Sequence, residues 1–229
     1  MTDPLTCISS MATRRILADL VALYGQRTGG EVAITSIGGV EAARKVRAGE
    51  PNDIVLLASN VMEQLEAEGH IVAGSRVDFA RSGMAIAVRA GARRPGIDTE
   101  EAVKQACLSA GKIGYSTGPS GDHLMQLWQR WDLTGTLSPR AVKAPPGVPV
   151  GALVARGDAD LGFQQLSELL HEPGIDIVGP LPPGIQAVTV FAAGICGSSL
   201  QVERARGLVA FLTSPAAEAA KRQHGMEPA

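Results

Sequence analysis

Lys112–Trp131, KIGYSTGPSGDHLMQLWQRW, is the stretch whose reading decides the fold. Ile113-Gly114-Tyr115 has the character of the end of a buried strand. Ser116-Thr117-Gly118-Pro119-Ser120-Gly121 cannot prolong it, because two Gly and a Pro within six residues force a loop. Asp122 stands where a helix is expected to start, and Leu124, Leu127, Trp128 and Trp131 follow at helical spacing, predicting one apolar face. A small-residue loop feeding a helix N-terminus gathers unpaired backbone N–H groups and the positive end of the helix dipole around one space. That arrangement suits an anion.

Working outward, the same design recurs twice. Leu5-Thr6-Cys7-Ile8-Ser9-Ser10 leads from a strand into a helix carrying Ile16, Leu17, Leu20, Val21 and Tyr24. Val32-Ala33-Ile34-Thr35-Ser36-Ile37-Gly38-Gly39 leads from a second strand into a helix carrying Ala42, Ala43 and Val46. Ser and Gly are also the ordinary capping and turn residues, so one junction alone says little. Three of them, in a chain where ligands gather outside the carboxyl ends of parallel strands, predict one shared oxyanion site.

The composition sets limits on partners. Hydrophobic residues make up 45% and charged residues 19% of the 229, with 27 Gly, as in a globular domain without low-complexity tracts. A net charge of −2 gives no electrostatic footprint for nucleic acid, and 3% aromatics leave little for stacking bases or sugars. No run approaches the roughly 18 apolar residues of a membrane span. Met1-Thr2-Asp3-Pro4 leads at once into the first strand, with no basic or long apolar leader; this predicts the cytoplasm, or the periplasm if an export segment has been removed. Cys7, Cys107 and Cys196 are odd in number and lack metal-ligand spacing, and the four His are scattered, so reduced thiols and no metal or other cofactor are expected.

The first 80 residues alternate strand and helix, including Asp53-Ile54-Val55-Leu56-Leu57-Ala58 and a helix capped by Asn60 and ended by Gly69. Met84-Ala85-Ile86-Ala87-Val88 begins a second set of strands, with a helix capped by Thr99 and a helix over Gly151–Arg156 after a Pro-rich loop. Val188–Gly194 returns as a strand, and Ser198 or Ser199 is expected to cap the helix that follows. The fold class is therefore α/β, with two Rossmann-like lobes, 1–80 with 182–229 and 81–181, joined by a two-strand hinge around a cleft.

The residues Ile8-Ser9-Ser10-Met11-Ala12-Thr13, Ala48-Gly49-Glu50-Pro51-Asn52-Asp53-Ile54-Val55-Leu56 and Phe79-Ala80-Arg81-Ser82-Gly83 resemble the molybdate-type solute-binding proteins of ABC transporters. Pro119-Ser120-Gly121, Gly162-Phe163-Gln164-Gln165 and Ala216-Ala217-Glu218-Ala219-Ala220 continue the match across nearly the whole chain. The resemblance implies the type II periplasmic-binding-protein fold. It also implies an oxyanion held by Ser9 or Ser10 and the Gly38-Gly39 turn in one lobe, and by Ser120-Gly121, the Gly147-Val148 loop and Gln165 in the other. An ABC permease would be the partner only if an export signal has been removed. This chain has Gly38-Gly39-Val40 where the molybdate proteins carry a Ser-rich loop, and Gln165 where they carry Tyr, which removes donors that molybdate would need.

Arg81, beside Ser82 at the crossover, offers a planar fork for a carboxylate; the alternative is a surface or interlobe salt bridge. Gln164 and Gln165 are candidates to hydrogen-bond an organic acid, or to cap a helix. His123 is the candidate acid–base group, with Asp122 and Glu41 as the other proton carriers near the junctions. Two functions follow. One is a trap for a small anion, an organic di- or tricarboxylate or another oxyanion. The other rests on relatives of the binding proteins that isomerise unsaturated tricarboxylates such as aconitate by an allylic proton shift.

Overall fold

The computed structural model describes residues 3–229; the Met1-Thr2 start, on which the compartment expectation leans, lies outside them. The chain divides into two compact units, one comprising the residues up to Arg81 together with Thr189–Ala229, the other Ser82–Val188. In order, β1 (Leu5–Ser10), α1 (Arg14–Thr28), β2 (Val32–Ile37), α2 (Gly39–Arg47), β3 (Ile54–Ala58) and α3 (Ser59–Ala67) alternate, and β4 (Val77–Arg89) carries the chain from the first unit into the second. There follow α4 (Glu100–Ser109), β5 (Ile113–Tyr115), α5 (Pro119–Arg130), α6 (Thr134–Leu137) and β6 (Ala141–Lys143). After them come α7 (Val150–Arg156), β7 (Leu161–Gln165), α8 (Leu166–Leu169) and β8 (Ile175–Pro180). The return passes through β9 (Val188–Ile195), then α9 (Val202–Leu212), α10 (Glu218–Gln223) and β10 (Glu227–Pro228).

In the first unit β1 lies between β2 and β3, parallel to both, and β9 runs antiparallel to β3. Side chains alternate across this sheet as the strand pleat requires. Leu5, Cys7, Ile54 and Leu56 pack with Ile16, Leu17 and Leu20 of α1 and with Leu208 and Leu212 of α9. Ile8, Val55 and Leu57 pack on the other face with Ala42, Ala43 and Val46 of α2 and with Met62 and Leu65 of α3. A strand covered on both faces reads as an unbroken apolar run, which is why Ile54–Ala58 shows no alternation. The C-terminal β10 closes the unit by pairing Glu227 with Arg81.

The second unit is built the same way around β5, which is parallel to β6 and β7. The first part of its chain, β4, is antiparallel to β7 and β8. Met84, Ile86, Phe163 and Ile113 bury one face with Leu124, Leu127 and Trp128 of α5 and Val103 and Cys107 of α4. Val150, Leu153 and Val154 of α7 pack in a separate cluster, and Ala85, Ala87 and Leu169 in another.

Several expected boundaries move. α5 begins at Pro119, ahead of Asp122, because Pro at the first helical position forfeits only an N–H with no intrahelical acceptor. α3 begins at Ser59, so Asn60 is inside the helix; the Ser59 hydroxyl donates to Asp78 at 2.8 Å. α9 has Gln201 at its N-cap, and Ser199 instead donates to Asp53 at 2.6 Å. Residues 182–188 fall in the second unit, where Gln186 accepts from the Met84 N–H at 2.8 Å and Ile185 joins the core. Thr99 does cap α4, its hydroxyl accepting from the Ala102 N–H at 3.1 Å.

Candidate functional site

In the first unit, the carboxyl ends of β1 and β2 bring together Ser9, Ser10, Gly38 and Gly39. Ser9 is buried, and its hydroxyl lies 2.8 Å from that of Ser36. Ser10 is 8% exposed, and its hydroxyl has no hydrogen-bond partner among the described residues. Its neighbour is the start of α2: a Cβ placed on Gly39 would lie 3.7 Å from the Ser10 Cβ. The first-turn N–H groups of a nine-residue helix lack intrahelical acceptors, so a buried, unspent hydroxyl sits beside a cluster of donors. Buried hydroxyls are normally satisfied, so Ser10 stands apart from the other serines of this junction. Arg81 is exposed, and no ion pair engages its guanidinium among the described residues.

Glu41, expected as a proton carrier, is spent. Arg44 donates to both its oxygens, at 2.8 and 2.6 Å, and this bonding holds the carboxyl below its usual range. The cysteines are free and buried; burial raises the Cys7 thiol, and pushes Cys107 and Cys196 up to about 12, so none serves as a nucleophile at neutral pH.

In the second unit, the loop after β5 folds tightly onto α5. The hydroxyls of Ser116 and Ser120 lie 2.9 Å apart, with Ser120 buried. Gly121 admits no side chain, since a Cβ there would fall 1.8 Å from the Ser116 carbonyl oxygen. The chain therefore needs Gly at this position to bring the loop against the helix start. His123, half-buried just after the first turn of α5, donates from Nε2 to the Ile185 carbonyl at 2.8 Å, a tautomer assigned from that acceptor. Asp122 beside it is exposed.

The remaining candidates gather around α7 and α8. The Val148 N–H donates to the Pro145 carbonyl at 3.0 Å, closing the turn in which Gly147 has φ 77°; the expected donor is therefore spent on its own loop in this conformation. Ser82 is buried, and its hydroxyl accepts from the Ser167 N–H at 3.3 Å. The Ser167 hydroxyl is buried without a partner among the described residues. Gln165 is buried at the end of β7, its backbone paired with Met84. Gln164 is occupied as a cap: its Oε1 accepts from the Val150 N–H at 2.9 Å and its Nε2 donates to Glu168 at 2.6 Å. Both ends of the Gln164 amide are thus engaged within the protein.

Glu168 was not singled out from the sequence. Part of its surface remains accessible, yet the carboxyl is packed deeply enough that desolvation pushes it up to about 7. The pointer in the sequence is an acid enclosed by Leu166, Leu169 and Leu170, four residues beyond Gln164.

Residues 5–227 match the family described as bacterial extracellular solute-binding protein. The chain belongs to that family. An aconitate isomerase from a Pseudomonas species is 37% identical over 230 residues, spanning 98% of this chain and 87% of that protein. The molybdate-binding protein ModA of Azotobacter vinelandii is 29% identical over 161 residues, 68% of this chain and 62% of that protein. Among solved structures, the periplasmic molybdate-binding protein of Azotobacter vinelandii superposes with a TM-score of 0.82 at 22% identity, covering 97% of this chain and 98% of that one. The α/β, type II periplasmic-binding fold expected from the sequence is the fold of this solute-binding protein. No helix among its described residues is long and apolar enough to cross a membrane.

Proposed function

We propose that this solute-binding protein holds a small organic di- or tricarboxylate or another oxyanion. Ser9 or Ser10, the Gly38-Gly39 turn and Arg81 would act from the first unit, and Ser82, Ser120-Gly121, the Val148 loop and Gln165 from the second. The observation that carries the reading is the Ser10 hydroxyl, buried and unpartnered beside the start of α2. An anion there supplies the missing acceptor and meets the positive helix end. Arg81, exposed and without an ion pair, supports a carboxylate, which a guanidinium meets with two parallel bonds. In this reading Val148 contributes only if its turn opens, because its N–H is engaged.

A carboxylate fits better than molybdate. Gly38 and Gly39 bring backbone N–H groups but no hydroxyls, and a bare tetrahedral oxyanion needs many donors. Thermal-shift screening of citrate, cis- and trans-aconitate, sulfate and molybdate, followed by calorimetry, tests this directly. Membership of the family supports an ABC permease as the macromolecular partner and a location outside the cytoplasmic membrane.

A second reading is favoured by one observation, the 37% identity to an aconitate isomerase over 98% of this chain. In that reading the anion donors hold the carboxylates of an unsaturated tricarboxylate while a proton leaves one allylic carbon and another is delivered to the far carbon. His123 is the proton carrier proposed, its ring fixed by the Ile185 carbonyl so that Nδ1 is the nitrogen left to act. Proton NMR of cis- and trans-aconitate in D₂O decides between the readings: a trap leaves both unchanged, whereas an isomerase washes deuterium into the allylic position.

A further inference from the structure

Ser9 and Ser10 end the same strand but cannot do the same job. Successive side chains of a strand point to opposite faces. Cys7 packs with α1 and Ile8 with α2, so Ser9 falls on the α1 side of the sheet and Ser10 on the α2 side. The spacing from Gly39 agrees, its Cβ position lying 3.7 Å from the Ser10 Cβ. Ser10 is therefore the one beside the first turn of α2, a nine-residue helix whose leading N–H groups have no acceptor within the helix.

The two hydroxyls also differ in their bonds. Ser9 is fully buried; its hydroxyl lies 2.8 Å from that of Ser36, its register partner on β2, and donates to the Ser10 carbonyl at 3.3 Å. A hydroxyl carries one proton, so when Ser9 donates to that carbonyl its bond with Ser36 is one it receives. Thr13, also fully buried, donates to the same carbonyl at 3.1 Å. Two hydroxyls thus converge on one oxygen, whose two lone pairs can accept both. On its other side Ser10 is held by the pairing of β1 with β2, where it stands opposite Ile37. Its backbone is fixed from both directions, at φ −71° and ψ 158°. Its own hydroxyl, by contrast, bonds nothing among the described residues.

We propose that Thr13 and Ser9 are positioning residues: their hydroxyls clamp the Ser10 carbonyl so that the Ser10 hydroxyl stands ready, at the start of α2, to donate to an oxygen of the anion. The inference rests on the anion-binding reading above. It takes Ser10 rather than Ser9 as the group that meets the ligand, and adds the residues that hold it. A donor fixed before the ligand arrives spares the cost of ordering it on binding. Thr13 and Ser9 act through Ser10 and not on the ligand itself.

Calorimetry with trans-aconitate, citrate and sulfate tests this on wild type, Thr13→Val, Thr13→Ser, Ser10→Ala and the double variant Thr13→Val with Ser10→Ala, each first checked for folding by circular dichroism. Val keeps the branched shape of Thr without the hydroxyl, and Ser keeps the hydroxyl. For an anion that binds wild type, Thr13→Val should weaken affinity about three- to tenfold, the equivalent of one hydrogen bond, and Thr13→Ser should stay within about twofold of wild type. In the Ser10→Ala background Thr13→Val should change nothing further, because the hydroxyl it positions is gone. An equal loss from Thr13→Val in both backgrounds, or no loss in either, overturns the inference while leaving anion binding intact. Thr13→Ser binding as poorly as Thr13→Val overturns it too, since the hydroxyl then does not matter. Should Thr13→Val not fold, Ser9→Ala takes its place in the same cycle, with the same expected and overturning results. Ser10→Ala binding as tightly as wild type removes Ser10 from the site and the inference with it. If none of the three anions binds folded wild type, the binding function itself fails.

Discussion

At Gly121 a single methyl group would collide with the Ser116 carbonyl at 1.8 Å, so Gly121→Ala must push the loop away from α5. The cost expected for forced overpacking is about 1–3 kcal/mol. Chemical denaturation should register it, and binding of any anion that uses Ser120 should weaken with it. Two arginines give a sharper contrast. Arg81 is without an ion pair among the described residues, whereas Arg94 faces Asp176 from an exposed loop. Arg81→Ala should cost about 2–5 kcal/mol of ligand affinity and Arg94→Ala close to none; equal losses by calorimetry would put Arg81 outside the site. Asp53 behaves differently from both. Burial alone would raise its carboxyl, but bonds from Ser199 at 2.6 Å and from the Thr6 N–H and hydroxyl at 2.8 and 3.0 Å, with Arg204 nearby, hold it below its usual range. A group depressed on folding stabilises the fold above its unfolded value, 3.8 here, and that contribution disappears as pH falls through the lower folded value. Asp53→Asn should therefore lower stability by about 1–3 kcal/mol at pH 7, with a loss that shrinks below pH 3.8 in acid titrations followed by circular dichroism.

At the scale of elements, the proposed preference for a carboxylate over molybdate rests on the junction of β2 with α2. A Cβ on Gly38 would meet nothing within 4 Å, and one on Gly39 only ordinary contacts at 3.7 and 3.9 Å. Neither glycine is forced by sterics, unlike Gly121. Gly38→Ser or Gly39→Ser should fold normally and add a hydroxyl donor, strengthening sulfate or molybdate binding by about 1–3 kcal/mol, the range for a bond to a charged group. Unchanged affinity for both oxyanions would show that α2 does not face the ligand. The strand–helix alternation was legible because β1 and β3 bury both faces, leaving apolar runs that periodicity detects. Helix starts were less legible: Asn60 and Ser199 look like caps, yet α3 already begins at Ser59, whose hydroxyl bonds Asp78, and Ser199 bonds Asp53, partners far away in sequence. Glu168 escaped notice for the same reason. Its raised pKa comes from packing by β7, α7 and α8 together, while residue type alone describes an ordinary surface acid on a short helix. Gln164, by contrast, was readable as either ligand group or cap, and only the position of Val150 decides for the cap.

For the whole molecule, the family match over residues 5–227 makes ligand capture the primary expectation, and the aconitate isomerase relative makes turnover the alternative. If turnover occurs, His123→Ala should cut deuterium exchange into aconitate by about 10²–10⁴-fold, the range for a general acid–base group, while binding persists. Exchange that survives unchanged would assign the proton to another residue. Both readings require that a small anion, in the first place a polycarboxylate, be held by the proposed donors. Isothermal titration of folded wild-type protein with citrate, cis-aconitate and trans-aconitate, alongside sulfate and molybdate, examines that requirement. The expected result is saturable one-to-one binding of at least one tricarboxylate, tighter than molybdate and weakened by both Arg81→Ala and Ser10→Ala. Molybdate bound more tightly than every carboxylate, or no heat from any of the five, would contradict it.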